Sequence, residues 1–400
     1  DIIKIKPNIN NSGIMSVTDV LSNISENDDN WAVIGLGGNN SITLHGVRKV
    51  ELDSVHFEVI TETTNLIQGD QDDNILIGTD ANDRIEGSKD PSGRFEDGYD
   101  ILIGGKGDDV LIGGTNKSAV GGYIIDLYRF DDESGKDTIL GFLNNGTGYA
   151  GGPSYDRLEI IKGINNSSID SAQDILSQSS DNSDGSVVLN LGSGNTITLK
   201  DISKSDLSAK HFHILPLTTN LIQGDQDDNI LTGTDGNDRI EGSKDPIGRF
   251  EDGYDILIGG KGDDVLIGGT NKSPVGGYKT DNYIFNDESG NDIIIGFLTN
   301  GTGYSGGPYK DKIKIKNEIN GVNIDEASDM MSRLSSNEDG WVEIDLGSDN
   351  TITLHGVSVN ELTEDNFEII TESDYDSLLA GSTQSSLEPL ISDMLVIWLI

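Results

Sequence analysis

Short apolar runs alternate with glycine- and acid-rich stretches along much of the chain. In residues 65–118, triplets such as "ILI" (75–77) and "VLI" (110–112) stand between loops rich in Gly, Asp and Asn. Apolar runs of this length, bounded by turn residues, are typical of short buried strands. This segment is therefore predicted to be a succession of very short strands joined by tight loops.

Other segments carry the pattern of one short helix followed by a hairpin. The helical spacing i, i+3, i+4, i+7 occurs at Val17, Val20, Leu21 and Ile24, and again at Met330, Met331 and Leu334. In residues 341–357, apolar residues alternate with polar ones on both sides of a Gly/Asp/Asn turn: Val342, Ile344, Leu346, then Ile352 and Leu354. These segments are predicted to be small antiparallel β units, each carrying one helix.

The whole pattern repeats with a period of 155 residues. Residues 65–118 and 220–273 differ at three of 54 positions, and the segment that follows occurs three times, beginning at Asp1, Asp156 and Asp311. We expect Asp1 to be an arbitrary cut with more protein upstream. The period predicts the back half of a module at 1–64, complete modules at 65–215 and 216–370, and a tail at 371–400.

The chain is strongly acidic and contains no cysteine. Its 27 Lys and Arg stand against 69 Asp and Glu, a formal net charge of −42. Such a surface repels nucleic acid and anionic lipid and attracts cations. The absence of cysteine excludes disulfides and thiolate metal sites. The longest apolar run, "MLVIWLI" (394–400), is far shorter than the roughly 20 residues of a membrane helix. We expect neither a nucleic-acid partner nor membrane insertion.

The front half of each module falls into a nine-residue frame. In the first module the frame runs through "GDQDDNILI" (69–77), "GTDANDRIE" (78–86) and "GGKGDDVLI" (104–112). Between them, residues 87–103 are one repeat with an eight-residue insertion that is predicted to lie in a loop. A flexible Gly/Asp linker is the alternative, but a linker has no reason to hold apolar residues in phase.

This frame resembles the G-G-x-G-x-D-x-U-x repeat of RTX (hemolysin-type calcium-binding) proteins. The resemblance implies an all-β fold of tandem parallel β-rolls (65–118 and 220–273), each followed by a small antiparallel β cap with one short helix (119–215 and 274–370). It implies Ca²⁺ as the cofactor, bound by loops one coil apart, and an interior filled by Leu76, Ile85, Leu102 and Leu111. Segments 126–142 and 191–214 are similar to the capping segments of serralysin-type proteases and alginate epimerases.

The resemblance also implies the residues that face the metal. The sixth position of each loop supplies a side-chain oxygen at Asn74, Asp83, Asp100, Asp109, Asn229, Asp238, Asp255 and Asp264. Other positions of the same loops complete the set at Gly78, Asp80, Asp97, Gly104, Gly105, Gly107, Gly233, Asp235, Asp252, Gly259, Gly260 and Gly262. Coil geometry pairs Asp83 with Asp109 and Asn74 with Asp100.

Some positions depart from the repeat. Asn74 and Asn229 replace the expected aspartate, which lowers the charge at the first site, and Ala81 replaces a turn glycine. We expect two or three Ca²⁺ ions per complete module, and expect the Asp83/Asp109 site to be among them.

Other motifs fit their chemistry poorly. "GTGYAG" (146–151) and "GTGYSG" (301–306) match a dinucleotide fingerprint, but Gly-Gly-Pro follows and prevents a helix from starting. A surface loop that offers Tyr149 and Tyr304 to a sugar is the alternative. Segment 335–346 lacks the final Glu of an EF-hand. The histidines are expected to be solvated sheet residues. Trp31 and Trp341 are expected to pack on strands, with a carbohydrate platform as the alternative.

The resemblance implies a secreted, extracellular bacterial protein that folds on binding Ca²⁺, with no enzyme in residues 1–400. Two alternatives stay open: an accessory region that binds a polysaccharide beside an upstream catalytic domain, and a repeat segment of a surface adhesin. The tail at 371–400 is expected to be either a carboxyl-terminal signal read by a type I secretion apparatus or a strand that covers the last β unit.

Overall fold

The computed structural model describes residues 2–6, 9–14, 17–59, 63, 65–70, 73–88, 98–114, 125–147, 153–225, 227–242, 253–269, 280–302, 308–381 and 388–389. The chain divides into two compact units. One comprises residues 1–169 and 174–212, and the other comprises 170–173 and 213–400.

Two parallel sheets form the body of the first unit, and the chain passes alternately from one sheet to the other. Each pair of successive strands therefore makes one coil of a roll. The first sheet contains Asn65–Gln68, Asp83–Glu86, Val110–Ile112, Lys136–Leu140 and Asn195–Leu199. The second contains Ile75–Ile77, Ile101–Ile103, Leu127–Phe130 and Arg157–Ile161, and Phe212–Leu215 follows in the chain. This confirms the predicted all-β parallel roll.

The second unit repeats this arrangement. One sheet contains Asn220–Gln223, Asp238–Glu241, Val265–Ile267, Asn291–Ile295 and Asn350–His355, with Glu388–Pro389 antiparallel at its edge. The other contains Ile230–Thr232, Ile256–Ile258, Asn282–Phe285, Lys312–Lys316 and Phe367–Ile370.

The interior of the roll is narrow and apolar, because one residue of each three-residue strand points inward. Leu111 pairs in register with Ile85 on one side and Ile139 on the other. Ile85, Leu102 and Leu111 are fully buried, as predicted, and Ile139 is fully buried as well. Leu76 is half-buried because the first coil is covered on one side only. The eight-residue insertion leaves the strand phase intact, since Leu76 pairs with Leu102.

The parallel sheets continue past the predicted end of the roll at residue 118. Lys136–Leu140 pairs in parallel with Val110–Ile112, and Arg157–Ile161 pairs in parallel with Leu127–Phe130. The first part of the segment predicted as a cap, 119–215, thus belongs to the roll itself. Its first strands extend the coil, because their apolar residues meet the same interior.

An antiparallel cap closes each roll, as predicted. Its strands are Ser180–Asp181 and Val187–Gly192 in the first unit, and Leu334–Ser336 and Val342–Gly347 in the second. One short helix accompanies each, at Ala172–Gln178 and Ala327–Met331. The helix predicted to include Leu334 ends earlier, at Met331. Leu334 begins a strand instead, because it pairs with Ile344 across the hairpin.

Residues 2–59 form the same cap motif without a roll. The strands are Ile3–Ile5 with Phe57–Val59, in parallel, and Ile24–Glu26, Ala32–Gly35 and Ser41–Leu44, antiparallel. The helix Val17–Ser22 ends before Ile24, which belongs to a strand. In the tail, a helix spans Glu372–Gly381, and residues 390–400 lie outside the described ranges.

Candidate metal centre

Two columns of side-chain oxygens run along each roll, one at the start of the strands of each sheet. Their aspartates are buried, and the asparagine that begins one column is half-buried. Every member stands two residues before an inward-facing apolar residue, so the strand that fills the interior also fixes the position of the side-chain oxygens. In the first unit the columns are Asp83, Asp109 and Asp137, and Asn74, Asp100, Asp126 and Asp156. In the second unit they are Asp238, Asp264 and Asp292, and Asn229, Asp255, Asp281 and Asp311.

Backbone hydrogen bonds hold the columns together. The N–H of Asp83 donates to Oδ1 of Asp109 at 2.7 Å, and the N–H of Asn74 donates to Oδ1 of Asp100 at 2.9 Å. The second unit repeats both bonds, with Asp238 donating to Asp264 at 2.8 Å and Asn229 to Asp255 at 2.9 Å. The four loops therefore meet in the pairs that the resemblance to the RTX repeat implies.

The second carboxylate oxygen distinguishes early coils from later ones. Oδ2 of Asp83 accepts hydrogen bonds from the backbone N–H and the hydroxyl of Thr79, at 2.5 and 2.8 Å. The side chain of Asn74 accepts the N–H of Asp70 at 2.7 Å. By contrast, Oδ2 of Asp109 is buried and has no hydrogen-bond partner within the described ranges, and the same holds for Asp264. An unpartnered buried carboxylate oxygen is costly, so these two positions call for a cation or a proton.

Burial and neighbouring negative charge act in the same direction on these groups. Burial raises the pKa of Asp109 to about 7, and the charges of Asp83 and Asp108 add to the rise. Burial raises the pKa of Asp264 to about 9, with the charge of Asp292 adding to it. A divalent cation would reverse this preference and keep the carboxylates ionised.

Glycine at the predicted positions lets backbone and carboxylate approach closely. A Cβ on Gly104 would lie 2.4 Å from Oδ2 of Asp109, and one on Gly78 would lie 2.0 Å from the carbonyl oxygen of Gly104 and 2.9 Å from Oδ2 of Asp83. Gly105 and Gly107 adopt φ values of 87° and 114°, which other residues rarely adopt. Gly233, Gly259, Gly260 and Gly262 repeat these contacts and φ angles in the second unit.

These oxygens suit Ca²⁺. Carboxylate and carbonyl oxygens lie together beside Gly78 and Gly233, and a carboxylate oxygen lies beside Gly104 and Gly259. Ca²⁺ takes six to eight oxygen ligands of these kinds. Among the described residues, no group of three or more His, Cys, Asp or Glu side chains is arranged to hold a metal. An ion in these loops would therefore depend on backbone carbonyls as well as on aspartates.

Two predicted aspartate ligands are not in the columns, and two more cannot be placed. Asp80 and Asp235 are exposed at the loop tips, so their carboxylates do not join the buried set. Asp97 and Asp252 lie outside the described residues.

Sequence reasoning missed the column members that follow the glycine-rich repeats. These are Asp126, Asp137, Asp156, Asp281, Asp292 and Asp311. A weaker signal marks them, because each is an Asp two residues before a buried apolar or aromatic residue, as in Asp83 and Ile85.

The structure also tests what the sequence predicted for the histidines and for Trp341. His211, His213 and His355 are buried instead of solvated, because each ring packs in an aromatic cluster, as His211 does against Phe142 and Tyr155. Trp341 is 7% exposed and stacks on His355 at a centroid distance of 4.2 Å, which favours strand packing over a sugar platform. Tyr149 and Tyr304 lie outside the described residues.

Comparison with known proteins bears on the loops directly. The model of the RTX calcium-binding nonapeptide repeat matches four segments, at residues 61–90, 96–116, 218–245 and 251–271. No curated protein matches the chain. Among solved structures, the extracellular lipase LipA of Serratia marcescens is 17% identical, with a TM-score of 0.23. That match covers 74% of this chain and 40% of the lipase chain, and at such a score it carries no argument. In the described part of the chain, no helix is long and apolar enough to cross a membrane.

Proposed function

We propose that this chain, which carries RTX calcium-binding nonapeptide repeats, is a region of a secreted protein that folds when its rolls bind Ca²⁺. The observation that carries the proposal is the buried Oδ2 of Asp109 and of Asp264, which has no partner among the described residues. The two atoms lie beside Gly104 and Gly259, where a side chain larger than hydrogen would collide with the carboxylate.

The columns couple binding to folding. In each roll, successive loops bring carboxylates together one coil apart, and the charges that act on Asp109 are those of Asp83 and Asp108, both negative. A bound Ca²⁺ supplies two positive charges at this point and removes the repulsion. Because the unfolded chain has no such site, the free energy of binding becomes free energy of folding.

The charge balance permits several ions. At two or three ions per module, the two complete modules would take up to about six, or +12. Against a formal charge of −42, the loaded chain would keep −30 and remain highly acidic. A net charge of this size favours solubility.

Calcium concentration would then separate two states of the chain. Extracellular calcium modules have Kd values of about 10⁻⁴ to 10⁻³ M. At cytosolic Ca²⁺ the rolls would stay unfolded and able to thread through an exporter, and outside the cell they would fold. The region thus supports secretion and stability of whatever it is attached to, and residues 1–400 themselves carry no catalytic centre in this proposal.

The direct test is far-UV circular dichroism of the full chain during a Ca²⁺ titration, starting in excess chelator. We expect a cooperative gain of β signal. Mg²⁺ should substitute poorly, since it demands a smaller octahedral shell. A complete β signal in chelator would contradict the proposal.

A further inference from the structure

The acidic column continues beyond the glycine-rich repeats. The N–H of Asp109, in the last repeat, donates to Oδ1 of Asp137 at 2.9 Å, and Val110 pairs in register with Thr138. Asp137 lies past residue 116, where the matched repeats of the first module end. In the second unit Asp264 donates to Asp292 at the same distance, and Asp292 likewise lies past the repeats.

Three buried oxygens at this junction have no hydrogen-bond partner of acceptable geometry within the described residues. They are Oδ2 of Asp109, Oγ of Ser134 and Oδ2 of Asp137. The three side chains are 0%, 3% and 2% exposed. The second unit has the same three atoms in the same state, on Asp264, Ser289 and Asp292.

The duplication argues against chance. Buried polar atoms are nearly always hydrogen-bonded, so a cluster of three unpartnered oxygens is unusual, and the same cluster in two modules needs a common cause. All three atoms are acceptors when the acids are ionised, and only the hydroxyl has a proton to donate. The hydroxyl of Ser134 acts as a donor on the carboxylate of Asp137, and that of Ser289 does so on Asp292. Among the described residues each junction thus has one hydroxyl for the second oxygens of two carboxylates, and a cation would satisfy what remains.

Charge at the junction points the same way. The charges acting on Asp137 are those of Asp109 and Asp108, and both are negative. On Asp264 they are those of Asp292, Asp238 and Asp263, again all negative. Two buried carboxylates one coil apart would be neutralised by one divalent ion.

We propose that each module binds a further Ca²⁺ ion at this junction, held by Asp109, Ser134 and Asp137 in the first unit and by Asp264, Ser289 and Asp292 in the second. The inference rests on the proposed function, since it takes Ca²⁺ as the ion that the rolls bind. The carbonyl oxygen of Gly107 lies next to Gly135 in the same loops, since a Cβ on Gly135 would be 1.9 Å from that oxygen. The ion ties the last repeat loop to the next strand of the same sheet, Lys136–Leu140 in the first unit and Asn291–Ile295 in the second.

The test counts Ca²⁺ ions bound per full chain at saturation, by native mass spectrometry and equilibrium dialysis. We expect the double variant Asp137→Asn/Asp292→Asn to bind two ions fewer than the wild type. Asparagine keeps an oxygen for the N–H of Asp109 and of Asp264 but removes the charge. The matched control is Glu133→Gln/Glu288→Gln, which removes two exposed carboxylates from the same loops and should bind the full number.

The outcomes separate this site from the proposed function. A wild-type chain that binds no Ca²⁺ contradicts both. A wild-type chain that binds Ca²⁺ while the Asp137→Asn/Asp292→Asn chain binds just as many ions contradicts the junction site alone. If that variant does not fold at any Ca²⁺ concentration, Ser134→Ala/Ser289→Ala decides: weaker binding of two ions supports the site, and an unchanged titration overturns it.

Discussion

The backbone N–H of Asp83 donates to the carboxylate of Asp109 across 2.7 Å, although 26 residues of sequence separate them. The bond joins two loops of adjacent coils and leaves the second oxygen of Asp109 for another partner. The same relationship recurs between Asp238 and Asp264 at 2.8 Å. It makes the carboxylate of the later coil both a structural acceptor and a candidate ligand.

Asp109→Ala or Asp264→Ala should raise the Ca²⁺ concentration at the folding midpoint by about tenfold, equivalent to about 1.4 kcal/mol. Each substitution removes a carboxylate that would face the ion and an acceptor for the preceding coil. Circular dichroism over a Ca²⁺ titration measures the midpoint. His45→Ala, at an exposed position, is the control and should leave the midpoint in place. Equal midpoints in all variants would count against the assignment of these aspartates.

In the absence of metal, the rolls should be more stable at low pH than at high pH. The folded-state pKa values of Asp109 and Asp264 are raised by burial to about 7 and about 9, above the usual value near 3.8. Their contribution is therefore fully present below about pH 4 and is lost as pH rises through 7 to 9. Far-UV circular dichroism in chelator at pH 5 and pH 9 measures this as the fraction of β signal, which should be larger at pH 5; a larger β signal at pH 9 would be the contrary result.

With Ca²⁺ present, the direction should reverse. Protons and Ca²⁺ compete for the same carboxylates, so the apparent Ca²⁺ affinity should fall as the pH is lowered. Calorimetric titrations at pH 8 and pH 5.5 compare the two affinities. Affinity that does not change over this range would indicate ligands other than these aspartates.

Gly233→Ala should weaken folding by about 1–3 kcal/mol, because its Cβ would lie 2.0 Å from the carbonyl oxygen of Gly259. Gly236→Ala is the matched control in the same loop: the nearest atom to its Cβ is 3.8 Å away, and the first module has Ala81 at this position. It should change stability by no more than about 0.5 kcal/mol. Urea unfolding in saturating Ca²⁺ compares the two, and similar losses would refute the close-approach argument.

Deletion of residues 371–400 should abolish export if the tail is a secretion signal, and should leave Ca²⁺ binding by the loops intact. The deletion also removes Tyr375, which is 7% exposed and packs with Ile258, Ile284 and Ile370. Tyr375→Ala therefore serves as the control, since it loses this packing but keeps the tail. Export is measured as the amount of protein in the medium; a deleted chain secreted at the original level would rule out the signal.

The parallel roll was predicted from the resemblance of the nine-residue frame to the RTX repeat, whereas the phase of the apolar residues by itself predicted only a succession of very short strands. The same resemblance implies that Asp83 and Asp109 lie on adjacent coils. The strand register agrees, because Leu111 pairs with Ile85 although the eight-residue insertion lies between them in the sequence.

The rest depended on contacts that sequence spacing does not contain. Asp137 lacks the glycine-rich loop of the repeat, so only its pairing with Asp109 shows that it belongs to the column. Thr79 saturates Oδ2 of Asp83 through a local turn, which makes the first coil less dependent on a cation than its aspartate suggests. The division at residue 118 failed for a related reason, since the strand at Leu127–Phe130 follows a change of composition without a change of fold.

In the first unit, the strands of the roll pair in parallel with the strands one coil before and one coil after them. Within the described ranges, the strand Asn65–Gln68 pairs with Asp83–Glu86 alone, through four residue pairs. Tension applied at that end would load one short ladder at a time, so the roll would peel open in small steps with low peak force instead of rupturing at once. A Ca²⁺ ion bound between two loops would hold adjacent coils together, so the resistance of the roll to pulling would rise with the Ca²⁺ concentration around it.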